Sequence, residues 1–576
     1  MYLVFDTETT GLPKRWDAPL TDTDNWPRCV QIAWQFHDIN GDCLLHEDYL
    51  IKPDDFDIPF DSEKIHGIST ELAEKKGEPL ENVLNNFKSV LNKTKFICGH
   101  NVSFDINIIG AEFFRLGIEN QFNQIPVIDT CTEQTASLCK LPGGRGGKFK
   151  FPTLVELNYF LFKENFEDAH NATADVEATA RCFFELLRNK SVAPKAFENE
   201  PSFFEKIKEN FKDKVRPIGL THINLREASK KLVTDKSIKE YHISDDLKSA
   251  FGKSSFFHLH VYSQFSVLHS TSHIQSLVDQ AHEFNMNAIS LTDKGNLMGA
   301  FHFIKAIKNH NENLDSNATE IKPVIGCEFN VCEDCDDKSR RDDGFQIVFI
   351  AKNKNGYHNL SKMSSLAYTS GFYYVPRIDK KIVQKYKEDL IVLSGNLYGE
   401  VSSKILNLGE RQAEESLVWW NNEFKDDFYI EIMRHQQENE IRVNKTLIEF
   451  SKKYQIPLIA TNNTYYTKKE DSNAHDILLC LKDGEKQTTP IGKGRGYRYG
   501  LPNQEYYFKS QEEMKDLFLD LPEAILNCDK IYDKVISFDL QNEVLLPKFE
   551  IPEEFISKNK IGIEGENAYL KHLTFI

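Results

Sequence analysis

Short apolar runs alternate with charged, helix-prone segments along this chain, a pattern typical of α/β proteins. The first run, residues 1–5, is rich in residues that favour strands and predicts a central β-strand. In the second half of the chain, apolar runs and helical segments follow one another, which predicts a barrel-like α/β domain. The strands predicted there span residues 256–260, 288–293, 346–351, 390–394, 428–432 and 458–461.

Two acidic residues follow the first predicted strand in the sequence Asp6-Thr7-Glu8. Because successive side chains of a strand point to opposite faces, Asp6 and Glu8 are expected to project from the same face. Two carboxylates held so close repel each other unless a cation lies between them. Hard divalent cations such as Mg²⁺ and Mn²⁺ prefer such oxygen ligands.

Three further ionisable residues complete a pattern expected of a nuclease. Asp105 opens a predicted helix after His100-Asn101-Val102-Ser103-Phe104, and Asp175 lies in a later helix, five residues after His170. Four carboxylates can hold two cations roughly 4 Å apart, one activating water and one stabilising the leaving oxygen. A histidine near that water can accept its proton, because its unperturbed pKa lies close to neutrality.

Each of these pieces has a plainer interpretation when taken alone. An Asp-x-Glu pair is more often a solvated strand end, Asp105 could cap its helix, and a single histidine is more often a surface or core residue. Together, in this order and within one domain length, they favour hydrolysis of a phosphodiester by activated water.

Residues 1–190 resemble the DEDD exonucleases of the histidine subtype, which include proofreading subunits of bacterial replicases. The resemblance rests on the residues above and on Ile65-His66-Gly67-Ile68. It implies a ribonuclease H-like fold, a mixed sheet flanked by helices, and removal of nucleotides from a 3′ end. It also implies that Asp6, Glu8, Asp105 and Asp175 bind two Mg²⁺ or Mn²⁺ ions and that His170 is the general base. The residues expected to bind the substrate are Thr7, Thr9, Leu12, His66, Asn101 and Phe104.

Residues 255–500 resemble the polymerase and histidinol phosphatase (PHP) domain of bacterial DNA polymerase III alpha subunits, which implies a distorted β/α barrel. The motifs that support this resemblance include Thr292-Asp293-Lys294-Gly295-Asn296-Leu297, Lys322-Pro323-Val324-Ile325-Gly326-Cys327-Glu328 and Pro376-Arg377-Ile378-Asp379. Residues 191–254 are predicted to form a connector, and residues 501–576 the beginning of a polymerase palm.

The PHP-like region departs from the metal-binding members of that family. The expected His-x-His reads His260-Val261-Tyr262, and later ligand positions hold Lys294, Gln346, Asn396 and Asn463-Thr464-Tyr465. Only His260, Glu328 and His269, in place of the usual aspartate, remain as possible ligands. We therefore expect a degenerate, metal-free scaffold; the alternative is an active phosphoesterase with zinc, manganese or iron.

Composition narrows the picture further. A net charge of −17 argues against broad, salt-driven binding of duplex DNA, though not against holding a few nucleotides of a frayed end. The 11 cysteines show no secreted-type framework, and Cys332 and Cys335 are expected to be exposed loop thiols. The glycine-rich loop at 143–150 is expected to be a flexible excursion. No membrane-spanning segment or signal peptide is predicted, which favours a cytoplasmic location.

The combined pattern predicts the N-terminal portion of a replicative polymerase alpha subunit, ending before the polymerase site. Its expected partners are the single-stranded 3′ end of a DNA primer and replicase subunits such as the sliding clamp and clamp loader, with no membrane. Two alternatives remain. One is an RNA-processing exonuclease of the same site chemistry, since the sequence does not reveal how a 2′-hydroxyl would be treated. The other is a non-catalytic replisome scaffold.

Overall fold

The structure is a computed structural model of the 576-residue chain. It describes residues 1–143, 148–166, 170–191, 202–220, 223–234, 245–314, 318–492, 496–541, 550–555 and 563–575. Residues 144–147 of the glycine-rich loop at 143–150 therefore lie outside the described residues, and the expectation of a flexible excursion stays untested.

In the described part of the chain, the first sheet consists of five strands: β1 Tyr2–Thr9, β2 Cys29–His37, β3 Cys43–Leu50, β4 Phe96–Gly99 and β5 Val127–Asp129. Their order across the sheet is β3-β2-β1-β4-β5, so β1 is central as predicted. The first three strands are antiparallel neighbours, whereas β4 and β5 run parallel to β1. Strand β1 extends beyond the predicted run and includes both acidic residues.

Helices cover both faces of this sheet. They are α1 Phe60–His66, α2 Thr70–Lys76, α3 Leu80–Leu91, α4 Ser103–Arg115, α5 Glu133–Cys139, α6 Leu154–Phe162 and α7 Ala172–Arg188. Leu3 and Phe5 of β1 pack with α3 and α4, whereas Tyr2 and Val4 pack with α7. The alternation of β1 therefore divides the core into two layers, as expected for a strand buried on both faces.

The segment predicted to be a connector contains three helices that follow the first sheet: α8 Ser202–Asn210, α9 Leu225–Thr234 and α10 Asp245–Lys253. Helix α8 packs on α7, and α9 packs on α2 through Leu225 and its neighbours. Helix α10 lies against the second domain instead. The connector is thus divided between the two domains.

Seven strands within the described ranges form the second sheet: β6 Ala288–Leu291, β7 Lys322–Cys332, β8 Phe345–Ala351, β9 Arg377–Asp379, β10 Leu390–Leu393, β11 Phe428–Ile432 and β12 Leu458–Ala460. The order is β12-β11-β10-β8-β7-β6, with β9 paired to β7. Parallel pairs at both ends flank antiparallel pairs around β8. The predicted mixed-sheet and distorted-barrel fold classes are confirmed.

The strand predicted at 256–260 is wrong in its regular form, although the segment does close the barrel. Its backbone bonds β6 on one side, where Ser290 N–H donates to His258 O (3.0 Å). On the other side, Thr464 N–H donates to His260 O (3.3 Å), just beyond β12. Because these hydrogen bonds are spaced irregularly, a buried extended segment forms without a continuous ladder.

Helices surround the barrel and fill its ends. They are α11 Ile274–Glu283, α12 Ala300–Glu312, α13 Lys354–Thr369, α14 Lys380–Tyr386, α15 Glu400–Asn407, α16 Glu410–Phe424, α17 Glu438–Tyr454, α18 Ser472–Asp483, α19 Gln511–Leu517 and α20 Pro522–Lys534; a last helix, α21 Ile563–Phe575, packs on Phe555. The largest apolar core of the molecule lies between these helices and the second sheet.

Helix α1 joins the two domains. Phe60 packs against the barrel core, and Lys64 Nζ donates to Asn439 Oδ1 (2.6 Å) on α17. The backbone N–H of Arg411 donates to Asp57 Oδ2 (3.2 Å) immediately before α1. The same helix therefore lies against the barrel at its start and leads into the first domain's His-Gly motif at its end.

Candidate active site

Asp6 and Glu8 lie two residues apart in β1, where they share a face of the sheet with Tyr2 and Val4. That is the face covered by α7, which carries Asp175 in its first turn. The sheet alternation therefore directs both β1 carboxylates towards the helix that supplies a third one.

Asp105 lies in the first turn of α4 and is fixed by β1 itself. Its Oδ1 accepts hydrogen bonds from the backbone N–H (2.9 Å) and the hydroxyl (2.7 Å) of Thr7. The turn before α4 is held by Asp129 of β5, which accepts the N–H groups of Asn101 and Val102 at 2.8 and 3.1 Å. Asp105 is therefore anchored from two strands before any ligand binds.

The beginning of α7 is fastened to the strand opposite Glu8. Asn171 caps the helix, and Gln31, which pairs with Glu8 in the β1–β2 register, accepts the N–H of Ala172 with Oε1 (3.2 Å). The Nε2 of Gln31 lies 3.4 Å from Asn171 Oδ1. These bonds set the position of α7, and hence of Asp175, relative to Glu8.

His170 precedes α7 in a left-handed backbone conformation (φ 70°). Its backbone N–H donates to Asp175 Oδ2 (3.0 Å). One potential ligand atom from each of Glu8, His170 and Asp175 lies within 4.8 Å of the others, and within the described ranges no second group of this kind occurs. The structure thus brings together residues from two distant parts of the sequence at one point.

The four carboxylates strongly disfavour their own ionisation. Burial, reinforced by the neighbouring acids, raises the pKa of Asp6 and of Glu8 well above the usual range. Burial also raises the pKa of Asp105 and of Asp175 to about 7, although the hydrogen bonds from Thr7 oppose this for Asp105. Among the described residues no lysine or arginine pairs with this buried acidic cluster, so the cluster fits a bound divalent cation, which would favour the ionised forms.

Two histidines at this site have lowered pKa values. Burial, together with the charge of Arg226, lowers the pKa of His170, so its ring is neutral near pH 7. Burial lowers the pKa of His66 to about 4, and its Nδ1 accepts the N–H of Ile68 (3.1 Å). A neutral ring retains the lone pair that a general base requires.

The second domain has a different cluster at the positions where the PHP resemblance leads one to expect metal ligands. His260 Nδ1 lies 2.8 Å from Glu431 Oε1, and its Nε2 lies 2.8 Å from the Tyr262 hydroxyl. That hydroxyl donates to Glu328 Oε2 (2.7 Å), while Lys294 Nζ lies 3.3 Å from Glu328 Oε1. The carboxylates are therefore compensated by cationic side chains of the protein itself.

The charges of this cluster are mutually stabilised. Burial opposes the charged form of His260, but the carboxylates of Glu431 and Glu328 raise its pKa to about 9. Burial likewise opposes ionisation of Glu328, but Lys294 and His260 lower its pKa to about 2. Burial and the charges of Lys294 and Lys482 lower the pKa of the nearby His269 to about 3.

Comparison with protein families matches residues 3–183 to the Exonuclease model and residues 258–435 to the PHP domain model. The chain joins an exonuclease domain to a PHP domain. Its PHP region is similar to DNA polymerase III subunit alpha of Borreliella burgdorferi, at 37% identity over 327 residues, and of Campylobacter jejuni, at 36% over 326 residues.

These matches cover 56% and 54% of the chain, which spans 26% of the length of each of the two relatives. Among solved structures, E. coli exonuclease I bound to single-stranded DNA is 24% identical and has a TM-score of 0.27, covering 34% of this chain and 42% of that one. Another exonuclease I structure covers 35% of this chain and 42% of its own, with the same TM-score and identity.

Within the exonuclease domain, the side chains expected to bind the substrate lie in different environments. Thr7 is committed to Asp105, and Thr9 Oγ1 donates to Gly11 O (2.7 Å). Leu12 is 72% exposed, and Phe104 is half-buried. Contact with the substrate remains a prediction for these four residues, for the exposed Asn101 and for the buried His66.

Sequence reasoning missed residues that support this exonuclease site. Trp16 is 60% exposed and packs on Phe104 with ring centroids 5.9 Å apart, so an exposed tryptophan near the motif was an available signal. Glu112 lies seven residues after Asp105 on the same helix, is fully buried, and accepts the N–H of Cys29 (2.9 Å) and Arg28 Nε (3.0 Å). No local signal marks such a partner, because the bonds join residues more than eighty positions apart.

The expectation of exposed thiols in the PHP domain is wrong. Cys332 and Cys335 are both buried, and Cys335 Sγ donates to Asp379 Oδ2 (3.2 Å). The fully buried Arg377 donates to Cys335 O (3.2 Å), which folds the acidic loop back against β9. Burial raises the pKa of Cys332 to about 11 and that of Cys335 to about 12, so neither thiol ionises readily.

Proposed function

We propose that the exonuclease domain removes nucleotides from the 3′ end of DNA and serves as the proofreading part of a replicative polymerase. The observation that carries this proposal is the buried group of four carboxylates from β1, α4 and α7 with His170 beside it. The relatives of the PHP region are named DNA polymerase III subunit alpha, which supports DNA as the substrate of this nuclease. The chain spans 26% of the length of each of these relatives, so the polymerase activity of the whole protein is likewise only proposed.

Asp6, Glu8, Asp105 and Asp175 would hold the divalent cations, Mg²⁺ or Mn²⁺ at two positions. When bound, such ions neutralise the acids, promote ionisation of water and stabilise charge on a leaving oxygen. Thr7 and Gln31 hold Asp105 and the start of α7 before substrate arrives, so little reorganisation accompanies binding.

His170 would act as the general base. Its neutral ring can accept a proton from the attacking water, and its backbone bond to Asp175 keeps it at the edge of the acidic cluster. Leu12, Phe104 and Trp16 offer exposed or partly exposed apolar surface on which the terminal base can stack. Thr9, His66 and Asn101 complete the proposed substrate site.

Replacement of His170 by Asn is expected to slow hydrolysis by about a hundredfold or more, since general-base catalysis contributes 10²–10⁴. Binding of Mn²⁺, followed by titration calorimetry, should change much less, because the four carboxylates remain. Unchanged hydrolysis by His170→Asn would contradict the assigned role. A loss of Mn²⁺ binding as large as the loss of hydrolysis would instead indicate that His170 is a metal ligand.

DNA and RNA substrates separate this proposal from an RNA-processing enzyme. Oligomers of the same sequence, one deoxyribose and one ribose, are incubated with the full chain and Mg²⁺, and rates of shortening are compared. Faster shortening of DNA is expected. A clear preference for RNA would overturn the proofreading role, while no shortening of either would favour a non-catalytic scaffold.

We further propose that the PHP domain acts as a metal-free scaffold, because His260 and Glu328 are engaged with each other, Tyr262 and Lys294. Zinc, manganese or iron retained by the purified full chain with all exonuclease carboxylates replaced would contradict this.

In a complete replicase the sliding clamp and clamp loader would be the partners, in the cytoplasm. No helix of the described ranges combines the length and apolar character needed to cross a membrane.

A further inference from the structure

Arg226 of the connector helix α9 lies beside the exonuclease site, although the Exonuclease model ends at residue 183. Its Nη2 donates to Ile65 O (2.9 Å), at the end of α1. Its charge acts on both His66 and His170, which places the guanidinium within electrostatic range of both rings. A helix outside the matched domain therefore brings a positive charge to the candidate general base.

The position of Arg226 is set by close packing of α9 on the loop after α1. Gly67 has a positive φ (78°), and a Cβ there would lie 2.4 Å from Arg226 Cγ. Ser229 of the same helix donates to Gly67 O (2.7 Å) and accepts the N–H of Ser69 (3.1 Å). Leu225 is buried with the apolar residues of α2. The arginine stem thus occupies space that only a glycine leaves free.

Four other arginines around this domain are paired with carboxylates, whereas the exposed Arg216, like Arg226, has no such partner among the described residues. Arg28 and Arg115 bind Glu112, Arg181 binds Glu164 and Arg188 binds Glu185. Among the described residues Arg226 has no carboxylate partner, and its side chain is exposed. A guanidinium has five N–H donors, so the bond to Ile65 O leaves several for a ligand.

We propose that Arg226 binds a backbone phosphate of the DNA strand near its 3′ end, so that the connector completes the exonuclease site. This inference rests on the proposed nuclease function. The ligand must be anionic and must pass close to His170, and the backbone of the substrate strand meets both conditions. A chain of net charge −17 needs such a local cation to hold a polyanion. Arginine also suits phosphate because its planar donors can bind two oxygens together.

The test compares Arg226→Gln with Arg226→Lys and with Lys208→Gln in the full chain. Lys208 is an exposed control on α8, near the sheet end that carries the β2–β3 turn. Initial rates on a single-stranded DNA oligomer are measured across substrate concentrations and at several salt concentrations. The Gln variant is expected to raise the half-saturating concentration roughly tenfold, with a smaller change in maximal rate. The slope of log affinity against log salt should fall by about 0.7, the value for one phosphate on a single strand.

Oligomers with one neutral methylphosphonate linkage identify the phosphate. When the neutral linkage replaces the phosphate that Arg226 binds, near the 3′ end, the unaltered protein should lose about as much affinity as the Arg226→Gln substitution causes. The affinity of Arg226→Gln should not change with that linkage. Arg226→Lys should recover part of the affinity, and Lys208→Gln should match the unaltered protein. Equal behaviour of Arg226→Gln and the unaltered protein would overturn the inference, as would equal sensitivity of both to every neutral linkage. If the unaltered protein shortened no oligomer, the nuclease proposal would fail and this inference with it.

Discussion

Asp6→Asn is expected to abolish nucleotide removal, with a loss of about a thousandfold or more. Metal-assisted stabilisation of the reaction is worth several kcal/mol, and each 1.36 kcal/mol corresponds to a factor of ten. The same substitution should raise the thermal midpoint of the metal-free protein, because burial, reinforced by repulsion from Asp105, Asp175 and Glu8, disfavours the ionised form of Asp6 and raises its pKa. Rates of oligomer hydrolysis and thermal denaturation in EDTA measure the two effects.

The opposite signs of these effects make the Asp6 prediction specific. A residue needed only for folding would lose activity and stability together. Asp24→Asn, an exposed substitution of the same kind in the same domain, should change neither quantity. Retained hydrolysis in Asp6→Asn would contradict the site assignment, and a lower thermal midpoint without metal would contradict the account of its electrostatics.

Glu328→Gln in the PHP domain is expected to lower the free energy of unfolding by about 3–5 kcal/mol, the usual cost of removing one partner of a buried ion pair. The substitution leaves the buried His260 with less compensation of its charge and the partly buried Lys294 without its carboxylate partner. Urea denaturation of the full chain, followed by a probe of the barrel, measures the change. Glu449→Gln on the exposed side of α17 is the matched control and should stay within about 0.5 kcal/mol.

The loss of stability caused by Glu328→Gln should also depend on pH. The pKa of His260 is raised to about 9 in the folded state, so its contribution is complete below about 6.5 and is lost as the pH rises through 9. The pKa of Glu328 is lowered to about 2, so its contribution is complete above about 4.5 and is lost as the pH falls through 2. The difference in free energy of unfolding between the unaltered protein and Glu328→Gln should therefore be largest near pH 5–6.5. A difference that is constant up to pH 10 would contradict the ion-pair account.

The parts of this structure that sequence predicts are those governed by local periodicity. The spacing of Asp6 and Glu8 on a strand places both carboxylates on one face, and β1 confirms the strand. The helices that carry Asp105 and Asp175 also follow from local pattern. Their roles as ligands remain predictions, because spacing alone does not identify the ion.

The parts that sequence does not predict depend on contacts between distant residues. Gln31 bonds Ala172 across 141 positions, and no pattern around either residue indicates the pairing. Lys294 occupies an expected ligand position, but its partner, Glu328, is visible only when β7 is placed beside it. Cys335 was predicted to be exposed, yet the buried Arg377 donates a hydrogen bond to its carbonyl oxygen and holds that loop against the barrel. Tertiary partners, rather than local propensity, decide these positions.

The most direct test of the nuclease assignment is hydrolysis of one DNA oligomer labelled at its 5′ end in one sample and at its 3′ end in another. The full chain is tested in Mg²⁺, in Mn²⁺ and in EDTA, beside Asp6→Asn. A metal-dependent ladder of stepwise shorter products from the 5′ label, a single released nucleotide from the 3′ label, and neither with Asp6→Asn, is the predicted result. Release of a nucleotide from the 5′ end, internal cleavage, or equal hydrolysis in EDTA would contradict it.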